Sequence, residues 1–353
     1  MALQLTSVEQ LDGMGFDDII DVRSPAEYAE DHVPGAINLP VLNDDERARV
    51  GTIYKQVSSF NARKLGAALV ARNAARHLEE ALMDRDGGWR PLVYCWRGGQ
   101  RSGSFATILR QVGWRTELIE GGYKSWRRLV VEQVSRPVAA RVVVLDGNTG
   151  SAKTDILIEA AAQGAQVIDL EGLANHRGSL FGAMPGGQPS QKAFEGRLAR
   201  ALAALDPARP VLVEAESSRI GAVLVPRGLW AAMSAAPRVR LAVPLAARAT
   251  YLSRAYADVV ADAARLAETI DRMRPLHAAP VIEHWLALAA AGEVEALAAD
   301  LMQRHYDPRY EKHRARHAGA EVVIEAQSLN PEALPGLAAE LWAAAQDPNG
   351  GAR

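Results

Sequence analysis

The chain has 353 residues, 48% hydrophobic and 23% charged, with a formal net charge of −2. That length exceeds one ordinary core and predicts two domains of soluble globular composition. Near-neutral charge excludes a globally basic nucleic-acid binder, so any polyanion site must be a local patch. No run approaches the ~18 apolar residues of a membrane span. A single cysteine excludes an internal disulfide and fits a reducing compartment. The stretch Met1–Thr6 lacks the basic and apolar regions of a signal peptide, so the cytoplasm is the expected location.

The first ~135 residues alternate between strand and helix patterns, the mark of a parallel α/β sheet. Asp17–Val22 predicts a short strand. Ser24, Pro25 and Glu27 then supply an N-cap, a proline at N1 and a glutamate at N3, which start a helix. His32–Leu39 predicts a turn and strand, and residues 43–87 predict an inserted helical pair. Pro91–Tyr94 reads as a buried strand, followed by a helix from about Arg101 to Val112 that Gly113 stops. A strand at Thr116–Ile119 and the pair Gly121-Gly122 precede a helix carrying Trp126.

The pattern breaks at Arg136-Pro137-Val138, predicting domains 1–137 and 138–353. Arg141–Leu145 is a β-branched run typical of a buried parallel strand. Further strands are predicted at Gln166–Leu170, Pro210–Glu214, Arg238–Val243 and Glu321–Glu325, with helices between them. Val281–His305 predicts a pair of alanine-rich helices.

Two loops carry candidate chemistry. Cys95 closes the strand at Tyr94 and opens the run Trp96, Arg97, Gly98, Gly99, Gln100, Arg101, Ser102. Inward-pointing backbone N–H groups and the two arginines favour the thiolate, which is the nucleophilic form. Cys95, Arg97 and Arg101 are therefore the catalytic candidates, and Trp96, Gly98, Gly99, Gln100 and Ser102 form the loop around an anionic donor. A buried structural cysteine is the plainer alternative.

The second loop is Gly147, Asn148, Thr149, Gly150, Ser151, Ala152, Lys153, Thr154, between a strand and a helix. It nearly matches the phosphate-cradling pattern, except that Ala152 stands where glycine is wanted. Lys153 would reach terminal phosphates and Thr154 a magnesium ion, with Asp169 or Glu214 as the second acid. Those two acids are equally readable as strand-end caps. His176, Arg177 and Arg248 are candidate pocket residues, with ordinary loop or helix roles as the alternative. No residue set is a certain metal site, and no tightly bound organic cofactor is expected.

The segment from Arg304 to His317 holds five Lys/Arg against two acids, with two tyrosines that suit base stacking. Arg304, Arg309, Lys312, Arg314 and Arg316 are the candidate nucleic-acid contacts. A solvated basic helix end is the bland reading.

Together these motifs carry a resemblance. Asp21-Val22-Arg23, Glu27-Tyr28, His32–Asn38, the Cys95 loop and Gly121-Gly122 before Trp126 resemble a rhodanese domain. With the second loop, and with the runs Asp169–Ser179 and Gln188–Glu195, the whole chain is similar to the bacterial tRNA 2-selenouridine synthase family. The resemblance implies an N-terminal rhodanese-like domain and a C-terminal P-loop NTPase-like parallel-sheet domain with extra helices. It implies a transferase acting on tRNA with 2-thiouridine at the wobble position. Sulfur would be replaced by selenium from selenophosphate, through S-geranylation by geranyl diphosphate, and a selenophosphate-supplying enzyme is a candidate partner. The ligand of the second loop stays open among geranyl diphosphate, a nucleotide and tRNA phosphate.

Cys95 to Arg101 is C-x5-R, the spacing of dual-specificity phosphatases, which gives room for a tetrahedral phosphate. Tyr94, where such phosphatases carry histidine, argues against that activity. A P-loop kinase or ATPase with a rhodanese sulfurtransferase domain is the main alternative, and a non-catalytic tRNA-binding scaffold a weaker one.

Overall fold

The structure, a computed structural model, describes residues 2–314 and 321–347. They divide into two compact units, 1–136 with 189–204, and 137–188 with 205–353. The sequence pattern predicts residues 138–353 as one continuous domain. Instead, a helix from within that stretch packs with the first unit.

The first unit carries β1 (Ala2–Leu3), β2 (Asp18–Asp21), α1 (Pro25–Glu30), β3 (Ala36–Asn38), α2 (Asp44–Gln56) and α3 (Ser59–Glu79). These are followed by β4 (Pro91–Tyr94), α4 (Gln100–Val112), β5 (Glu117–Ile119) and α5 (Tyr123–Ser135). The five strands form a parallel sheet in the order β1-β5-β4-β2-β3. β4 is buried along its whole length, which accounts for its unbroken apolar run. At α1 the Glu27 carboxylate accepts the Ser24 N–H at 3.2 Å, the capping arrangement that the Ser-Pro-x-Glu spacing predicts. The insertion is a helical pair, α2 capped by Asn43 and α3 by Ser58. Gly113 ends α4 in the left-handed conformation.

The second unit opens with β6 (Val142–Gly147), α6 (Lys153–Ala162), β7 (Gln166–Ile168) and α7 (Leu170–Ala174). Next in sequence is α8 (Gln191–Ala203), which belongs to the first unit and packs on α5. Phe194 is fully buried there, Glu195 pairs with Arg127, and Ser190 caps the helix at 3.1 Å. The chain continues through β8 (Val211–Glu214), β9 (Arg219–Ile220), β10 (Val223–Leu224), α9 (Arg227–Ala235) and β11 (Arg238–Ala242). A helical stretch follows: α10 (Leu245–Ala255), α11 (Ala257–Val260), α12 (Ala263–Asp271), α13 (Ala279–Ala291), α14 (Val294–Leu301) and α15 (Asp307–Arg314). The chain then forms β12 (Glu321–Glu325) and α16 (Leu334–Gln346).

The second sheet is also parallel, ordered β12-β11-β6-β8-β7. Its core joins Val143, Leu145, Leu212 and Leu241 to Ile156 of α6 and Leu341 of α16. β6 lies at the centre, so the loop after it emerges at the carboxyl end of the sheet, where parallel α/β folds place ligands. No helix of the described residues is long and apolar enough to cross a membrane.

Candidate functional site

Cys95 lies 4% exposed at the end of β4. The Ser102 hydroxyl, on the first turn of α4, hydrogen-bonds the Cys95 Sγ at 3.1 Å. Burial opposes ionisation of the thiol. The Ser102 hydroxyl, the backbone N–H groups of Ser102 and Arg97, and the Arg101 charge outweigh it and hold the thiol below its ordinary range. A structural cysteine sealed in apolar surroundings would shift the other way.

The loop is held from behind. Tyr123 N–H donates to the Cys95 carbonyl at 2.9 Å and Lys124 N–H to that of Trp96 at 3.1 Å, from the start of α5. Gly122 sits at φ +60°, and a Cβ there would lie 2.2 Å from the Cys95 carbonyl oxygen. This close approach is why the glycine pair precedes Trp126. Beneath the loop, the buried Arg23 guanidinium pairs with Asp21 at 2.6 Å and lies 4.0 Å from the centroid of the Tyr123 ring. Tyr123 in turn donates to Asp31 at 2.6 Å. The Asp21-Val22-Arg23 motif thus braces the loop.

The two loop arginines differ. Arg101 donates to Glu27 at 2.8 Å, and Glu27 also meets Arg47 of α2 at 3.3 Å. Burial works against the Glu27 charge, but Arg101 and the Ser24 N–H hold its carboxyl below the usual range. Arg97 is exposed, and among the described residues its side chain has no partner.

In the second unit, residues 147–154 curl as a P-loop-like turn into α6. Gly147 ends β6, where a Cβ would lie 2.4 Å from the Ser151 hydroxyl oxygen. Ala152 adopts φ +55°, ψ +30°, the glycine conformation at the glycine position, with its side chain in the core cluster beneath the loop. The alanine keeps the loop path and turns its methyl inward.

Lys153 Nζ lies 3.0 Å from the Gly147 carbonyl. Burial disfavours its charge, but Tyr310, Glu171, Glu216 and Asp146 hold the ammonium above the ordinary lysine range. Thr154 donates to Glu171 at 2.8 Å, and Glu171 shares a hydrogen bond with Glu216. Burial, then Glu171, pushes the Glu216 carboxyl up to about 8.

The expected second acids each accept a backbone N–H, and Asp169 also lines the pocket beside Lys153 and Thr154. Asp169 caps α7 by accepting the Gly172 N–H at 2.8 Å, and buried Glu214 accepts the Glu171 N–H at 2.7 Å. Sequence reasoning missed Glu171 and Glu216. Glu171 stands inside the Asp169–Ser179 motif, whereas Glu216, two residues past a strand, gives no signal. Thr154, Glu171 and Glu216 form a hard-oxygen set that fits magnesium, which when bound would neutralise charge on a phosphate ligand.

Of the other candidates, Arg177 lines the loop pocket, pairs with Asp258 at 3.0 Å and lies 4.8 Å from the Tyr256 ring centroid. His176 accepts the Gly178 N–H at 3.2 Å within its own turn. Arg248 is not a phosphate clamp. It is buried, bonds the Thr149 carbonyl at 3.1 Å and pairs with Asp307 at 2.8 Å, which fixes the loop backbone.

In the basic segment, two of the five candidate cations are held by neighbouring side chains. Arg304 pairs with Asp300 at 2.8 Å, and Arg314 donates to the Asn148 side chain at 2.6 Å. Tyr306 and Tyr310 line the loop pocket. Arg309 and Lys312 stay exposed, and Arg316 lies outside the described residues. The loop pocket measures about 530 Å³. Thr149, Ser179, Leu252, Tyr256 and Tyr306 line it and also line a second, narrow cavity of about 70 Å³, otherwise walled by apolar side chains such as Phe181, Val259 and Leu297.

A rhodanese-like domain with one activated cysteine, carried on the same chain as a P-loop-like α/β domain, is the class that these folds and loops define. Residues 5–129 match the rhodanese-like domain family, and residues 140–279 match the family described as the tRNA 2-selenouridine synthase AAA domain. The curated tRNA 2-selenouridine synthase of Nitrosomonas europaea is 41% identical over 235 residues, covering 65% of this chain and 61% of that protein. That of Alcanivorax borkumensis is 40% identical over 237 residues, covering 65% and 64%. The chain thus spans slightly less than two thirds of the length of these two relatives. That of Aeromonas salmonicida is 38% identical over 259 residues, covering 72% and 69%. The chain belongs to the tRNA 2-selenouridine synthase family.

Proposed function

We propose that the chain is a cytoplasmic transferase that converts wobble 2-thiouridine in tRNA to 2-selenouridine. The thio sulfur first attacks C1 of geranyl diphosphate, forming a C–S bond and releasing diphosphate. The selenium of selenophosphate then attacks C2 of the base and expels geranyl thiol. Water cleaves the remaining P–Se bond and releases phosphate. Alkylation makes a thiocarbonyl sulfur into a leaving group, and the cation of Lys153 stabilises departing diphosphate.

One observation carries the geranyl step: the phosphate-type pocket shares five residues with an apolar cavity. A prenyl diphosphate needs an anion cradle beside an apolar annex, whereas a nucleoside needs polar partners for base and ribose. A ten-carbon tail exceeds about 70 Å³, so seating it requires lining side chains such as Leu252 to move. The Cys95 loop, with its thiolate and exposed Arg97, is assigned to the selenium donor.

The test is mass spectrometry of nucleosides after incubation with thiolated tRNA, magnesium, geranyl diphosphate and selenophosphate. Geranylated and then selenated uridine is the expected sequence of products. Unmodified tRNA together with magnesium-dependent ATP turnover would replace this reading with the kinase or ATPase one.

A further inference from the structure

The α2–α3 hairpin carries seven lysines and arginines, all between Arg47 and Arg76, against four acids confined to its two ends, Asp44, Asp45, Glu46 and Glu79, within a protein of net charge −2. All seven cations are exposed. Among the described residues, the contact of Arg47 with Glu27 is the single ion pair that any of them makes. The hairpin tip adds three exposed apolar side chains within seven residues: Tyr54 at 60%, Val57 at 71% and Phe60 at 60%. Lys64 stands 5.2 Å from the Phe60 ring centroid. A cation-rich hairpin with aromatics at its tip fits no requirement of the rhodanese-like core, which packs against Leu69, Val70 and Ala74 and, partly buried, Val50 and Leu65.

The hairpin also walls a cleft of about 860 Å³, lined in part by Arg47, Lys55, Arg63, Gln100, Arg101 and Ser104. Its far side is the first turn of α4, the helix that carries Ser102 beside Cys95.

We infer that the α2–α3 hairpin is the surface on which this protein docks the anticodon arm of tRNA. This assignment rests on the tRNA reading above. The cations neutralise backbone phosphates, Tyr54 and Phe60 stack on unpaired bases of the loop, and the cleft leads those bases toward the Cys95 loop. Charge complementarity selects the occupant, because an apolar protein partner would leave this block of cations uncompensated.

The experiment is fluorescence anisotropy of the full chain with wobble-thiolated tRNA across a salt series. The variants are Lys55→Ala/Arg63→Ala/Lys64→Ala, Tyr54→Ala/Phe60→Ala and a control, Arg128→Ala/Arg272→Ala, at exposed cations elsewhere. The triple variant is expected to lose at least tenfold in affinity and to flatten the salt dependence by on the order of two units of slope. The aromatic variant is expected to lose about fivefold or more with its slope unchanged, because stacking releases no counterions. The control should match the unsubstituted protein. Wild-type affinity and slope in the triple variant would overturn the surface while leaving the tRNA reading in place. Failure of the unsubstituted protein to bind tRNA would overturn that reading, and the surface with it.

Discussion

The Ser102 hydroxyl hydrogen-bonds the Cys95 sulfur at 3.1 Å, from a fully buried position on the first turn of α4. After burial, it is the strongest influence on the thiol and the main one favouring the thiolate. In Ser102→Ala, the pH midpoint for alkylation of Cys95 by iodoacetamide is therefore expected to move upward. Cys95→Ser should abolish selenium incorporation yet leave tRNA affinity within a few fold. An unmoved midpoint in Ser102→Ala would show that the backbone donors and the Arg101 charge suffice to ionise the thiol.

Gly122 tests the packing behind that loop. A Cβ at this position would overlap the Cys95 carbonyl and the Gly98 nitrogen, and its φ of +60° disfavours any side chain. Gly122→Ala should cost more than ~2 kcal/mol in urea unfolding, since neither clash can relax without moving the loop. Gly99→Ala, where no heavy atom lies within 4 Å of the added Cβ, should change stability far less.

Lys153 and Arg248 are expected to fail in different ways. Lys153→Ala removes the charge facing the phosphate pocket, and the geranylation rate should fall by about 10²-fold with little change in Tm. Arg248→Leu leaves Asp307 partly buried with only the Asn148 amide and no cation beside it, and frees the Thr149 carbonyl, so it should destabilise by about 3 kcal/mol. Paired melting and rate measurements separate the two. Undiminished geranylation in Lys153→Ala would remove that role from the loop.

Glu216 predicts a pH dependence. Its folded pKa, about 8, lies above the ordinary carboxylate value, so the folded state binds more protons between those two pH values. The stability it contributes is complete below the unfolded pKa and is lost as pH rises through about 8. Glu216→Gln should therefore match the unsubstituted protein at pH 4 and melt higher at pH 9. Tm measured from pH 4 to pH 9 without magnesium checks this, and parallel curves would exclude the shared proton.

Much of the fold is legible as local pattern. The Ser24–Glu27 cap, the buried strand at Pro91–Tyr94, the helical insertion and the strand-loop-helix at 142–162 follow from spacing and apolar runs that act over a few residues. The candidate nucleophile is legible too, because a cysteine at a strand end, inside a glycine- and arginine-rich loop, has backbone donors and cations supplied by its own neighbours in sequence. Side-chain partners are not. Arg248 reads as free because its partner, Asp307, lies 59 residues away. Asp169 and Glu214 read as metal-linked acids because a strand-end carboxylate has the same spelling whether it caps a helix or faces a threonine.

The basic patches show the same division. Local charge counting finds 304–317, yet Asp300 and Asn148 occupy two of its arginines, and its tyrosines turn into a pocket. The longer, sparser block at 47–76 is dispersed along two helices and becomes a surface only when α2 folds back on α3. By itself, the sequence determined the parallel α/β class, most secondary elements and the strand-loop-helix setting of the two candidate loops, because those depend on short-range propensity and periodicity. Only the tertiary structure decided that Ser102 activates Cys95, that Glu171 and not Asp169 meets Thr154, and that α8 packs on α5. Those relationships are matters of packing, which sets which charges and hydroxyls meet, and most of them join residues far apart in the chain.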